Sequence, residues 1–124
     1  MNTNKYSLIR SLDIVIADFG SSTIKSHVKG KHAAIVLRID DPRSKFSQMT
    51  VIPIFKHPSY KGGDTDIVIK RAFCSGLHYD MYANVSNFQV IERSRVKRRI
   101  GHMDHEETKK MILRALREDV CGVE

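Results

Sequence analysis

The stretch from Asn84 to Arg117 constrains the fold more than any other part of the chain. It reads as a buried strand (NVSNFQVIE), a basic turn (RSRVKRRIG) and a capped helix (HMDHEETKKMILRALRED). Asp104 can cap the helix, and Glu107 follows three residues later, the spacing of a capping box. Glu106 and Glu107 fall in the first turn, and Arg114 and Arg117 near the last, each on the favourable side of the helix dipole. Thr108, Met111, Ile112, Ala115 and Leu116 make one apolar stripe at helical spacing, so the helix must lie on something apolar. The expected helix spans residues 104–118.

What it lies on is supplied upstream. DIVIADFG (Asp13–Gly20) alternates apolar and polar residues with β-branched side chains, a strand signal. AAIVLRI (Ala33–Ile39) is a continuous apolar run and reads as a central strand. MTVIPIF (Met49–Phe55) and TDIVIK (Thr65–Lys70) are two more, with Pro53 pointing to an edge or a bulge. MYANVSNFQVIE (Met81–Glu92) holds two strands, or one bent at Asn84–Ser86. SSTIKSHVKGKH and KHPSYKGGD are loops by their Ser, Gly, Pro and Lys content. Residues 1–12 read as a loose arm. Short strands followed by one helix predict a mostly β fold, a small curled sheet or barrel. A chain of 124 residues suffices for one domain and one modest core.

No apolar run reaches the roughly 18–20 residues a membrane-spanning helix needs. The N-terminus MNTNKYSLIRS shows no apolar export core, so the expected location is the cytoplasm, with Cys74 and Cys121 as free thiols. The net charge is +7 and the pI about 9.6, which favours polyanionic partners or simply a solubilising surface. Clustering favours the former. Arg93, Arg95, Lys97, Arg98 and Arg99 crowd one segment, while Lys25, Lys29 and Lys31 share a loop with His27 and His32.

The order DIVIADFG, long polar loop, GKHAAIVLRIDD, TVIPIF and FQVIERSRVKRRIGHMDHEETKKMILRAL resembles the PemK/MazF (Kid-like) family of toxins from type II toxin–antitoxin systems. The likeness runs from about Asp13 to Arg117 and is strongest at the C-terminal end. There the family reads close to Q-I-R-T-I-D-K-x-R-L and this chain reads Asn87-Phe88-Gln89-Val90-Ile91-Glu92-Arg93-Ser94-Arg95-Val96. The resemblance implies an SH3-like β-barrel with a C-terminal helix, usually a homodimer. It implies metal-independent cleavage of single-stranded RNA at short sequences, in which the 2′-hydroxyl attacks its own phosphate. It implies no cofactor, an acidic antitoxin as protein partner, and operator DNA as a partner of the toxin–antitoxin complex.

That chemistry needs a base, an acid and a group that stabilises the phosphorane. The family supplies an Arg just before the second strand and a Thr or Ser just after the third. At the first place this chain has His32, followed by Ala33 where the family has Pro. At the second it has Phe55, with Lys56 and His57 next. The S-E-Q-like stretch of the first loop is Ser26-His27-Val28, and the Q-x-R pair is Asn87-Phe88-Gln89.

Two readings follow. In one, His32 and His27 replace the usual acid–base groups, since imidazole works in either direction near neutral pH. Lys56 or Lys31 then stabilises the charge. Lys29, Lys31, His57, Asn87, Gln89, Arg93, Lys97 and Arg98 contact the RNA, and Tyr60, Tyr79 and Tyr82 stack unpaired bases. In the other, the histidines are solvated loop residues, the basic run is a solvated face, and the protein is a silent homologue that binds RNA, DNA or an antitoxin peptide. Arg95 is expected to serve the fold. His78, His102 and His105 are expected on the surface, and the five phenylalanines in the core. A third class, an SH3-like peptide adaptor, is disfavoured by the absence of Trp.

Overall fold

The structure is a computed structural model that describes residues 9–20, 28–41, 43–57 and 66–120. Among the described residues seven strands form one antiparallel sheet: β1 (Asp13–Asp18), β2 (Lys31–Ile39), β3 (Gln48–Phe55), β4 (Asp66–Ile69), β5 (Met81–Asn84), β6 (Gln89–Glu92) and β7 (Val96–His102). The order is β4-β5-β3-β2-β1-β7, with β6 also paired to β3. One helix, α1 (Glu106–Arg114), follows and continues as a wider π-helical turn from Ala115 to Val120. The expected mostly β fold with a C-terminal helix is therefore what the chain adopts. The hydrogen-bonded path curls without closing.

Period-two alternation places the core. Ile14, Ile35, Ile52 and Ile54 point to one face, where they meet Ile67, Ile69, Val85, Met103 and, from the helix, Ile112 and Ala115. Their neighbours Val15, Ala34, Val36, Met49 and Val51 point to the other, packed with Ile9, Ala17 and Val96. The central strands are thus apolar on both faces, which is why AAIVLRI reads as a continuous run. α1 packs against β4, and its buried residues are Thr108 and Ile112. Met111, expected on the buried stripe, is exposed.

β3 changes partner midway. Its first half pairs with β6 through Val51↔Gln89, and its end pairs with β5 from Ile54↔Ala83. Pro53, which has no N–H to donate, sits between those two pairings. A 3₁₀ turn at Val85–Asn87 separates β5 from β6, so of the two expected alternatives the stretch holds two strands.

The curl is tied at one place. Cys74 bridges Met103, Ser75 N donates to His102 O at 3.2 Å, and Asp104 N donates to Phe73 O at 2.8 Å. This returns the segment before β5 to the end of β7. Two glycines make the crossing possible. A Cβ on Gly101 would lie 1.6 Å from Ser75 O, and one on Gly76, whose φ is +85°, would lie 1.8 Å from Ile100 O.

Three expectations change here. The basic turn is mostly the edge strand β7, whose pairing with β1 shifts register twice, so no alternation shows in its sequence. The helix starts at Glu106 and its cap is His105, not Asp104: the His105 ring accepts from Thr108 N and stacks on Phe73 at 3.6 Å between centroids. Phe46 and Phe88 are exposed and not in the core. Among the described residues no helix is long and apolar enough to cross a membrane.

Candidate functional site

The loop after β1 leaves from a locked stem. The β1–β2 ladder runs to Asp18↔Lys31. Phe19 N then donates to Gly30 O at 2.9 Å, and Gly30 N to Gly20 O at 2.7 Å. Asp18 Oδ1 accepts from Gly20 N at 2.9 Å. Gly20 and Gly30 have φ of +74° and +68°, a region that suits glycine. Gly20 also leaves room for Arg95, since a Cβ there would lie 3.2 Å from an Arg95 guanidinium nitrogen. Arg95 thus lies beside the stem and is exposed.

From this stem β2 carries Lys31 outward and His32 half-buried. The β2–β3 register, Ala34↔Pro53, sets His32 opposite Phe55. Their rings lie 4.7 Å apart at 55°. The Nδ1 of His32 is 2.9 Å from Ala33 O. A carbonyl can only accept, so Nδ1 carries the proton and the neutral ring presents Nε2 as an acceptor. One residue past Phe55, the Lys56 ammonium sits 4.4 Å from the centre of the Tyr79 ring. His57 beside it is exposed. The structure therefore makes two contacts around the end of β3: His32 on Phe55, and Lys56, the next residue, on Tyr79. His27 and Tyr60 lie outside the described residues.

The remaining predicted contacts fall into three groups. Gln89 joins Phe88, Asp18, Phe19, Glu92 and Arg95 around an open cavity of about 520 Å³ beside the stem. Asn87 is half-buried in the turn before it. Lys97 and Arg98 are exposed on β7, with Arg98 opposite Ile16 and Val96 opposite Ala17, so they flank the loop end of β1. Lys29 is exposed on the loop itself. Arg93 is the correction: it is fully buried, at 0% exposure, with its backbone N–H on Ser47 O at 2.7 Å. A side chain withdrawn from solvent does not meet a phosphate, so Arg93 belongs to the fold.

Ion pairs among the described residues include Arg38–Asp40, Arg99–Asp13, His102–Asp13 and Lys110–Glu107. None of these four pairs uses Lys29, Lys31, Lys56, Lys97 or Arg98. No cluster of three or more His, Cys, Asp or Glu among the described residues is arranged to hold a metal ion.

Sequence reasoning missed a second cluster. Asp13 is buried and receives Arg10 N at 2.8 Å, Arg99 Nε at 3.1 Å and His102 Nδ1 at 2.7 Å. It lies at the other end of β1, roughly 17 Å along the strand from the loop stem. His102 was expected at the surface; instead it is tied to a residue 89 positions away, a pairing no local pattern signals.

A family model for PemK-like, MazF-like toxins of type II toxin–antitoxin systems matches residues 10–118. No curated protein matches the sequence significantly. Among solved structures, the fold is similar to the Mycobacterium tuberculosis toxin MazF-mt6, with a TM-score of 0.67 and 19% identity over 90% of this chain and 98% of that one. It is also similar to an endoribonuclease in complex with its cognate antitoxin from Mycobacterial species, with a TM-score of 0.63 and 12% identity over 91% and 92% of the two chains. At these identities the structural likeness speaks for the fold.

Proposed function

Because the chain belongs to the PemK-like, MazF-like family of toxins from type II toxin–antitoxin systems, we propose that it is a metal-independent, sequence-specific endoribonuclease that cuts single-stranded RNA. The observation that carries this reading is the placement of His32 against Phe55, with Lys56 on the next residue of the same strand end.

His32 Nε2 takes the proton from a ribose 2′-hydroxyl. The 2′-oxygen attacks the adjacent phosphorus in line, forming the O2′–P bond as the P–O5′ bond breaks. Lys56 stabilises the extra negative charge on the phosphorane oxygens, a contribution that grows in the transition state and so lowers the barrier. His27 returns a proton to the departing 5′-oxygen. The products are a 2′,3′-cyclic phosphate and a 5′-hydroxyl. Unpaired RNA is the substrate because a duplex holds the backbone away from in-line geometry and hides the bases. Lys29, Lys31, His57, Lys97 and Arg98 hold the phosphates, and Asn87 and Gln89 meet the RNA beside the stem. The enzyme acts in the cytoplasm as a homodimer, and an acidic antitoxin folds over the basic end of the sheet. The complex of the two binds operator DNA.

The test is incubation with a long single-stranded RNA in EDTA beside His32→Ala, with circular dichroism to confirm that the variant is folded. Discrete cuts ending in 5′-hydroxyls, lost in the variant, are expected. Intact RNA at a large excess of protein sinks the nuclease reading. It would leave the silent, binding-only homologue, which the replacement of the family's Arg and Thr positions by His32 and Phe55 favours.

A further inference from the structure

We infer that Tyr79 is a stacking platform for one unpaired base of the RNA, and that Lys56 and Tyr79 together grip a single nucleotide, the lysine by its phosphate and the tyrosine by its base. The inference rests on the reading of this end of the sheet as an RNA site and names what one part of it recognises.

The ring's own geometry supplies the first argument. The Lys56 ammonium lies over the Tyr79 ring at 4.4 Å from its centre, so one face is occupied. The residue is nonetheless 55% exposed. More than half of its surface therefore stays open to solvent beside the lysine. An aromatic ring that is free on one side and backed by a cation on the other offers a π-surface beside a positive charge. A nucleotide is the complementary object, a π-surface joined to a negative charge. Every base has such a face, so the contact is tolerant of sequence.

Preorganisation supplies the second. The backbone around Tyr79 is held on both sides. Asp80 Oδ1 accepts from Arg71 N at 2.9 Å, which closes the segment that carries the ring. Leu77, two residues before, is packed on the core. The platform is thus ordered before any ligand arrives, and binding loses little additional conformational entropy there.

Placement supplies the third. Lys56 follows Phe55, whose ring holds His32. Tyr82, three residues after Tyr79, pairs with Phe55 across β5 and β3. A base seated on Tyr79 sets its own phosphate at Lys56 and sends the strand toward His32. Tyr79 thereby acts in binding and in the register of the cut, while His32 acts on the proton.

The experiment measures equilibrium binding of the full chain to a fluorescein-labelled single-stranded RNA carrying 2′-O-methyl groups, which removes the nucleophile. Tyr79→Ala should weaken binding by about 5- to 150-fold, the equivalent of about 1–3 kcal/mol for one base–aromatic stack. Tyr79→Phe, which keeps the ring, should rescue it. An abasic site walked along the oligonucleotide should weaken wild-type binding at one position and leave Tyr79→Ala indifferent there. Against cleavable RNA, Tyr79→Ala should raise KM more than it lowers kcat. If Lys56→Ala weakens binding and Tyr79→Ala, folded by circular dichroism, does not, the stacking proposal is overturned and the RNA site stands. If the wild-type chain does not bind RNA at all, both fall together.

Discussion

His102 reaches across 2.7 Å to a carboxylate oxygen of Asp13, and Asp13 has no exposed surface. The same carboxylate takes Arg99 Nε and the Arg10 backbone N–H, so one buried charge joins the start of β1, the end of β7 and the turn that precedes them. Removing one partner of a buried pair costs more than the pair is worth, because the other groups stay behind. Arg99 and His102 both reach solvent, which moderates the loss. Asp13→Ala is expected to lower stability by about 2 kcal/mol, read from the midpoint of urea unfolding. An unchanged midpoint would mean that the carboxylate does not hold these strand ends together.

Gly101→Ala should be worse. Its methyl group would meet the Ser75 carbonyl at 1.6 Å, and a backbone atom cannot step aside as a side-chain tip can. The crossing must open, at a cost of about 3 kcal/mol. Loss of the folded fraction at 37 °C, followed by near-ultraviolet circular dichroism, checks this; a stable variant would show that the two segments are free to separate.

His105 does two things that substitution can separate. It caps α1 through Thr108 and stacks on Phe73. His105→Asp keeps a capping oxygen and loses the ring, while His105→Ala loses both. The gap between the two variants in thermal unfolding should be about 1 kcal/mol. Equal stabilities would assign the whole effect to the ring.

Burial pushes the Cys74 thiol up from 9.0 to about 11. The folded state therefore favours the neutral thiol more than the unfolded chain does. The stability this represents is complete below pH 9 and is lost as the pH climbs toward 11, because the unfolded chain ionises first. Wild type should lose about 2 kcal/mol relative to Cys74→Ala across that interval. Parallel melting curves for the two proteins from pH 8 to pH 11 would contradict the assignment. At pH 8 the thiol should also resist iodoacetamide, scored on the Cys74 peptide by mass spectrometry.

Strands whose apolar residues alternate or run together were readable from residue types. Ile14 and Val15 point to opposite faces, as a strand buried on both sides requires. β7 was not readable, because Lys97 and Arg98 dominate its sequence and register shifts break its alternation. Arg93 shows the same limit: a cation among cations looks like surface, and only the tertiary fold withdraws it. At the site, His32 and Phe55 were visible as substitutions at family positions, with Lys56 next to the second. The contact of His32 with Phe55 depends on the register of β2 against β3, and the Lys56–Tyr79 contact on how the segment before β5 folds back. The Asp13–His102 pairing joins opposite ends of the chain and leaves no local trace.

The stem at Phe19, Gly20 and Gly30 separates two histories that one gene must carry. The strands that leave it carry the core residues Val15, Ala17, Ala34 and Ile35, where a change of volume is felt at once. The bonds that close the stem itself join backbone atoms, so they make no demand on the residue types between the two glycines. Exchanging that stretch between relatives is therefore expected to leave the stem and the core as they are.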